Sequence, residues 1–250
     1  SIPSNVKKIS RGAFELCHNL SDVTFASDSE LKSIGKYAFA YSKIGNFTIP
    51  EKVEEIKYGC FNGAKKLNNI QIMEGNKVFK NYNNQFLLTK SDLKSDMFDI
   101  LLFANRDIEE VNIPSFIKHL GPFSFDRCDQ IEHVNFEPNS ELQIIDDYSF
   151  DCVNVENFVI PKYVTQIGQN SFAHTRTKNV KFAVNSRLKT VGKFAFMFSK
   201  IESISIPSSV VNFNSNWCES AANFTNVIIN PTGKQNILWY KKDFLIKKSD

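Results

Sequence analysis

One pattern of apolar and polar positions recurs along the chain. Val or Leu is followed three residues on by Ile, five further on by Phe, and six further on by Leu or Ile, before a closing stretch in which two apolar residues alternate with polar ones. Residues 117–136 show it as Ile117, Leu120, Phe125, Ile131, Val134 and Phe136. The closing alternation has the period of two expected of a short strand with one buried face. The pattern therefore predicts many copies of one short unit.

The spacing of the copies is regular. Ile-Pro pairs begin at five positions, and three of the four intervals between them are 46 or 47 residues: Ile2, Ile49, Ile113, Ile160 and Ile206. Between successive pairs lie two units of 22 to 25 residues, each with a small residue followed by Phe. Such a period indicates a solenoid, in which each unit buries its apolar face against its neighbours. The remaining interval of 64 residues marks an insertion.

The units predict an α/β-type solenoid that is predominantly β, with a parallel sheet on one face. Pro ends each strand that it follows, since it cannot donate to the ladder. The connecting residues, such as 36–41, are expected to form at most one or two helical turns. We expect one domain, 1–250. Eight strands are predicted to stack in register: Leu20–Phe25, Ile44–Ile49, Leu67–Ile72, Ile131–Phe136, Val155–Ile160, Thr177–Phe182, Ile201–Ile206 and Phe224–Ile229.

Residues 73–110 interrupt the period and predict a β-hairpin, with strands at Phe86–Lys90 and Met97–Phe103. The start of this insertion recurs 158 residues later, where Tyr240 and Phe244 correspond to Tyr82 and Phe86. The predicted domain thus holds repeats 1–72 and 111–229, a hairpin insertion 73–110, and the start of a second insertion 230–250. Because the strand slots on both sides stay in phase, we expect deletion of 73–110 to leave a folded solenoid.

The unit resembles the BspA-like class of leucine-rich repeats. Its strand has the pattern L-x-x-L-x-L without the Asn or Cys that usually follows, and a second motif reads Ile160-Pro161-x-x-Val164-x-x-Ile167-Gly168. The resemblance implies a leucine-rich repeat solenoid. It also implies a large cell-surface or secreted protein of a mucosal bacterium or parasitic protist, engaged in adhesion to host cells and matrix proteins. It supplies no catalytic residues.

Composition and motifs argue against several other functions. A net charge of +3, from interspersed acidic and basic residues, does not favour nucleic-acid binding, and no apolar run reaches the length of a membrane-spanning helix. The four histidines and five cysteines lack catalytic or metal-ligand spacing, so we expect no enzyme, cofactor or metal. Asp92, Asp96 and Asp99 lack the EF-hand pattern and its Gly, which favours a solvated turn over a calcium site.

The cysteines are expected to be small buried apolar residues, although one disulfide between Cys128 and Cys152 stays open. The chain starts with Ser and shows no leader, so we interpret it as part of a longer protein.

Two surfaces are candidates for partner binding. One is the polar outer face of the strands, where an Asn ladder either stabilises the sheet or reads sugars and polar protein surfaces: Asn46, Asn69, His133, Asn135, Asn157 and Asn179. The other is the insertion, whose Phe79 and Tyr82 either contact partners or only pack the hairpin against the solenoid. Of the two, we expect the insertion to contribute more. Three sequons are candidates for glycosylation: Asn19, Asn46 and Asn223.

The leading hypothesis from the sequence is a non-enzymatic recognition or adhesion module of a cell-surface or secreted protein, with protein or glycan partners. The alternative is an intracellular leucine-rich repeat scaffold for protein–protein interaction.

Overall fold

A computed structural model of the 250-residue chain describes residues 1–229, 237–240 and 244–247. Within these residues the regular elements are all β-strands, and the predominantly β solenoid is confirmed. Distances between Cα atoms group the chain into two units, one of Ser1–Ile108 and Gly121–Gln130, the other of Glu109–Leu120 and Ile131–Asp250. The single domain stays a prediction, and each unit is described by itself.

The first unit holds eight strands. Three of two residues pair in parallel, at Lys8–Ile9 (β1), Ser33–Ile34 (β2) and Glu55–Ile56 (β4). Two of four residues also pair in parallel, at Asn46–Ile49 (β3) and Asn69–Ile72 (β5). Three pair antiparallel in chain order, at Phe79–Tyr82 (β6), Phe86–Thr89 (β7) and Ile100–Ala104 (β8).

The second unit contains one parallel ladder of short strands and two parallel ladders of longer strands. The short strands lie at His119–Leu120 (β10), Ile144–Ile145 (β12), Gln166–Ile167 (β14), Thr190–Val191 (β16) and Asn212–Phe213 (β18). Of the longer strands, Glu110–Ile113 (β9) pairs with His133–Phe136 (β11). The other longer ladder holds Asn157–Ile160 (β13), Asn179–Phe182 (β15), Ser203–Ile206 (β17) and Asn226–Ile229 (β19).

Much of the predicted second insertion, 230–250, lies outside the described residues. The two strands described within it, Ile237–Tyr240 (β20) and Phe244–Lys247 (β21), pair antiparallel with Tyr240 opposite Phe244. Tyr82 lies opposite Phe86 in the same way.

Seven of the eight predicted strands are present, each over its last four residues. The prediction for Leu20–Phe25 is wrong, because this segment forms only a single bridge between Phe25 and Ile2. The sequence predicted none of the two-residue strands, and it also missed one of the longer parallel strands. β9 has the same L-x-x-L-x-L pattern, beginning at Ile108, but this copy was assigned to the insertion.

The helical part of the predicted α/β class is absent from the described residues, because the connecting turns use left-handed backbone. Residues two before and two after each Phe of the repeat have positive φ, as at Tyr37 (60°) and Tyr41 (57°) around Phe39. Left-handed residues cannot continue a right-handed helix. The turns instead pair with the next turn, where the Phe39 N–H donates to the Cys60 carbonyl at 2.9 Å.

A ladder of phenyl rings fills the interior. In the second unit, Phe172 is fully buried and stacks on Phe150 and Phe196 with ring centroids 5.3 and 5.1 Å apart. The turns approach so closely that a Cβ on Gly192 would lie 2.5 Å from the Gly168 carbonyl carbon. Glycine is therefore required there for the turns to stack.

Two turn types alternate after the longer strands. The short turn joins Ile49 to Val53 through an Ile-Pro pair, whereas the long turn joins Phe136 to Leu142 and has two more residues. In the long turn Asn139 has φ 62°, and the Ser140 Oγ accepts a hydrogen bond from the Leu142 N–H at 3.4 Å.

Strand pairing follows this turn type. After a short turn, each strand pairs with its successor over four residues, as β3 with β5, β9 with β11, β13 with β15 and β17 with β19. After a long turn, β15 pairs with β17 over two residues, and β11 forms no ladder with β13 in the described residues. We call a step closed where two successive strands pair over four residues, as from β3 to β5 and from β13 to β15. We call the step from β11 to β13, where no ladder forms between the two described strands, the open step.

The insertion is part of the core of the first unit. Phe79, Leu87 and Phe103 are buried, and the Phe103 ring packs edge-on against the Phe61 ring at 5.6 Å. The Ala104 N–H donates to the Ser124 carbonyl at 2.9 Å, the bond that Phe39 makes to its own next turn. β8 thus replaces one turn of the solenoid. Deletion of 73–110 would therefore remove core contacts, and the expectation that the solenoid folds without this segment stays a prediction.

Candidate functional site

A groove of about 710 Å³ opens at the open step of the second unit. Its floor is formed by β11 and β13, and its end by the turns that follow them, at residues 137–140 and 161–163. The two strands are neighbours, but no backbone ladder joins them. The groove therefore arises where the long turn interrupts the sheet.

Three of the sequence-predicted residues meet in this groove. His133, Asn135 and Asn157 are all exposed and line it together. Among the described residues, the Asn135 amide has no hydrogen-bond partner, so both its donor and its acceptor face solvent. Amide and imidazole groups in this arrangement can donate to and accept from a polar ligand.

Apolar surface lies beside these polar groups. Val159 is 56% exposed on β13, although β-branched apolar residues are usually buried. Tyr163 lines the end of the groove, with the Arg187 guanidinium 4.6 Å and the Lys162 ammonium 5.3 Å from its ring centroid. These contacts hold a rigid aromatic surface in place at low entropic cost.

Charge in the groove is mixed. Glu137 and Lys162 both line the groove. The Glu137 Oε2 accepts a hydrogen bond from the Ser115 N–H at 2.9 Å. A groove with one acidic and one basic group beside neutral amides suits a polar, nearly uncharged ligand better than a polyanion.

Four Asn residues form the predicted ladder as two hydrogen-bonded pairs. The Asn69 Nδ2 donates to the Asn46 Oδ1 at 3.1 Å, and the Asn179 Nδ2 donates to the Asn157 Oδ1 at 3.0 Å. Both pairs span closed steps. There the amides satisfy one another, which supports the structural interpretation of the ladder. Asn157 belongs to both settings, since its Oδ1 accepts the bond from Asn179 and the residue also lines the groove.

The aromatic residues of the insertion are less accessible than the sequence suggested. Phe79 is 4% exposed and belongs to the core, so it packs the insertion down and offers no contact surface to a partner. Tyr82 is half-buried. Alternation along β6 places Phe79 toward the apolar interior of the first unit.

The three sequons lie at the surface. Asn19 and Asn223 are exposed in turns, and Asn46 is exposed on β3. Only Asn46 has its side chain engaged, through the bond from Asn69.

The acidic turn of the insertion does not assemble its three carboxylates into a calcium site. Asp99 is buried, and its two oxygens accept hydrogen bonds from the Ser91 N–H at 2.9 Å and the Ser91 Oγ at 2.8 Å. Asp92 Oδ1 accepts from the Lys94 N–H at 2.9 Å. These hydrogen bonds stabilise the turn, and they engage the carboxylates of Asp99 and Asp92.

All five cysteines are thiols, so the disulfide left open between Cys128 and Cys152 is not formed. Burial raises the pKa of the Cys60 thiol well above its ordinary value of 9.0 and raises the pKa of Cys218 to about 11. Burial also raises the pKa of Cys128, against the opposing effect of the Arg106 guanidinium beside it. These three thiols stay protonated and unreactive at neutral pH.

A comparison with protein families gives a match that covers most of the chain. The model of the BspA type leucine-rich repeat region matches residues 1–100 and 98–225, in six copies. The chain belongs to this family. The resemblance inferred from the motifs is confirmed.

Three solved structures have a similar fold. A leucine-rich repeat protein from Eubacterium ventriosum has a TM-score of 0.75 at 21% identity, over 90% of this chain and 64% of that one. A leucine rich cell surface protein from Faecalibacterium prausnitzii has a TM-score of 0.65 at 19% identity, over 92% and 59%. The pneumococcal vaccine antigen PcpA has a TM-score of 0.54 at 17% identity, over 91% and 61%.

At these identities the likeness shows the fold alone. The chain spans between 59% and 64% of the length of the three structures. No curated protein gives a significant match. Among the described residues there is also no helix with the length and apolar character needed to cross a membrane.

The groove itself was not predicted from the sequence. The alternation of apolar and polar residues does not indicate Glu137 or Tyr163, because both lie in the segments that follow the strands. The interval from the end of a strand to the next apolar residue is four residues after Ile160 and six after both Phe136 and Phe182. It marks the turns at which pairing is reduced, but it does not separate the open step from the step between β15 and β17.

Proposed function

We propose that this chain is a non-enzymatic recognition or adhesion module of a cell-surface or secreted protein, which binds a protein or glycan partner in the groove of the open step. The observation that carries the proposal is the convergence of His133, Asn135 and Asn157 with exposed Val159 and Tyr163 in one groove of about 710 Å³. The size is within the range typical of small-ligand sites. The BspA-type family and a structural neighbour described as a cell surface protein support the location.

The groove combines two kinds of contact. Val159 and Tyr163 offer apolar area that a partner would remove from water, and an anchored Tyr is the type of residue that contributes most at interfaces. Asn135 and Asn157 offer directional hydrogen bonds that select polar groups on the partner. The closed steps have no such combination, because their Asn amides are bonded to each other.

One observation favours the alternative of an intracellular scaffold. The five cysteines remain thiols, as is usual in reducing compartments. Labelling the surface of intact cells that produce the full-length protein separates the two. Detection at the surface supports the proposal, and labelling only after lysis supports the scaffold.

Binding to the groove is tested with the purified chain against immobilised matrix proteins and a glycan array. We expect Tyr163→Ala and Asn135→Ala each to weaken binding at least about tenfold while the chain stays folded, which corresponds to about 1.4 kcal/mol. Tyr82→Ala is the matched control in the insertion. If Tyr82→Ala alone abolished binding, the groove would be excluded as the binding site. The insertion, which the sequence predicts to contribute more, would then be favoured.

A further inference from the structure

Asp151, Cys152 and His174 bring three different metal-ligating groups together on the turn side of the second unit. One ligand atom of each lies within 4.8 Å of those of the other two. The Asp151 Oδ1 is 2.9 Å from the His174 Nδ1 and 3.6 Å from the Cys152 Sγ. Neither the groove nor the proposed recognition uses these residues.

The fold places these groups by the geometry of the repeat. Cys152 and His174 occupy the same position in successive turns, two residues after Phe150 and Phe172, and both have positive φ, 61° and 54°. The Cys152 N–H donates to the Ala173 carbonyl at 3.0 Å, which ties one turn to the residue beside His174. Below them the two phenyl rings stack at 5.3 Å. The backbone that carries the three ligands is therefore rigid.

The imidazole is also oriented from its other side. The His174 ring stacks on the Phe198 ring, with centroids 5.2 Å apart and an interplanar angle of 21°. The backbone N–H of His174 donates to the Met197 carbonyl at 2.8 Å, which fixes the main chain that carries the ring. A ligand held in this way loses little conformational freedom when it binds an ion.

We infer that Asp151, Cys152 and His174 form a site for a divalent transition-metal ion of the Zn²⁺ type. Ligand atoms around a tetrahedral Zn²⁺ lie about 3.2–3.7 Å apart, given bond lengths of about 2.0–2.3 Å. The separations of 2.9 and 3.6 Å lie within a few tenths of an ångström of that range or inside it, and the third is within 4.8 Å, so side-chain rotations can bring the three groups into place. Thiolate and imidazole select Zn²⁺ or Co²⁺ over Ca²⁺ and Mg²⁺, which prefer oxygen ligands.

Binding replaces the existing hydrogen bonds with metal bonds. The Cys152 thiol loses its proton to solvent as the bond from Sγ to the metal forms, and the His174 ring nitrogen presents its lone pair. Three protein ligands leave the fourth position to water. His174 is exposed, so the ion can enter from solvent.

The other cysteines do not offer an equivalent site. Cys60 and Cys128 are fully buried, and burial raises the pKa of both thiols. Cys17 and His18 are exposed neighbours in the sequence, but no third ligand joins them among the described residues. This pair therefore serves as the matched control.

The site is tested by calorimetric titration of the chelator-treated, reduced chain with Zn²⁺, and by the absorption spectrum with Co²⁺. We expect one Zn²⁺ per chain, a thiolate-to-Co²⁺ charge-transfer band, and no binding of Ca²⁺ or Mg²⁺. Asp151→Asn, Cys152→Ser and His174→Gln should each weaken Zn²⁺ binding about tenfold or more, since even outer-shell changes have effects of that size. Cys17→Ser with His18→Gln should leave binding unchanged.

Thermal unfolding supplies a second readout in the same proteins. Zn²⁺ should raise the Tm of the unchanged chain and of the control, because it binds the folded state, and should not raise the Tm of Cys152→Ser. The inference is overturned if folded chain binds no Zn²⁺. It is also overturned if any one of the three substitutions leaves binding unchanged, or if the control substitutions abolish it.

Discussion

The closed and open steps of the second unit are built from the same repeat but leave different surfaces. In the closed step, four residues of β13 pair with β15, and the Asn157 and Asn179 amides bond to each other. In the open step, β11 and β13 are neighbours without a ladder, and a groove separates their side chains. A difference of two residues in the preceding turn accompanies this change. In this repeat, a short turn accompanies paired strands that stabilise the sheet, and a long turn accompanies reduced pairing and, in the open step, an accessible groove.

The largest expected effect is on the core beneath the closed step. Phe172→Ala should lower the free energy of unfolding by about 3–5 kcal/mol, because the removed ring leaves a cavity among three others. Its centroid lies 5.3, 4.8 and 5.1 Å from those of Phe150, Phe158 and Phe196. Urea unfolding followed by circular dichroism measures the change.

Val159→Ala in the open step is the matched comparison. Val159 is more than half exposed, so the free energy of unfolding should stay within about 0.5 kcal/mol of the unchanged chain. Equal losses of unfolding free energy for Phe172→Ala and Val159→Ala would contradict the distinction between a closed step that stabilises the fold and an open step that provides an accessible surface.

A smaller effect is expected from the Asn ladder. Asn179→Ala removes the hydrogen bond to Asn157 across the closed step and should cost about 0.5–1 kcal/mol of unfolding free energy. Asn135→Ala in the open step should cost less than about 0.5 kcal/mol, since its amide faces solvent. Chemical denaturation of both variants, with m-values compared, makes the measurement. A larger cost for Asn135→Ala would contradict the assignment of roles.

The smallest effect concerns pH. Partial burial opposes the ionisation of Asp146, but hydrogen bonds from the His119 ring and the Asp147 N–H, together with the His119 charge, outweigh it and lower the pKa of this carboxyl below 3.8. A lowered folded-state pKa contributes stability above the unfolded pKa, and this contribution is lost as pH falls through the folded value. The Tm difference between the unchanged chain and Asp146→Asn should therefore shrink from pH 6 toward pH 3. A difference that grows on acidification would contradict the sign.

The sequence predicted the repeating part of the fold because its signal is local. The alternation in Asn157–Ile160 specifies a strand with one buried face, and the phenyl spacing specifies the ladder. The left-handed turns had no such signal, since Tyr148 and Phe194 adopt positive φ although bulky residues rarely do. Only the stacking of one turn on the next selects that backbone.

The candidate site was predicted in part for a similar reason. His133, Asn135 and Asn157 follow from strand alternation, which places them on the outer face. The separation of β11 from β13, and the place of Tyr163 beside it, depend on pairing between units. For the insertion, aromatic content alone did not distinguish buried Phe79 from half-buried Tyr82.

The central claim is that a longer turn reduces the pairing of the two strands that it joins, and it is tested by shortening the long turn after β11. Residues 137–141 are replaced by Pro-Lys-Tyr, the short turn that follows Ile160, and hydrogen exchange of residues 155–160 is measured by mass spectrometry. The same replacement of residues 183–187 is the control, because β15 and β17 already pair over two residues.

We expect exchange in 155–160 to slow about tenfold or more in the shortened chain as β11 and β13 form a ladder. The control replacement should slow exchange in 201–206 by less. Unchanged exchange in 155–160, in a chain that still unfolds cooperatively, would contradict the account.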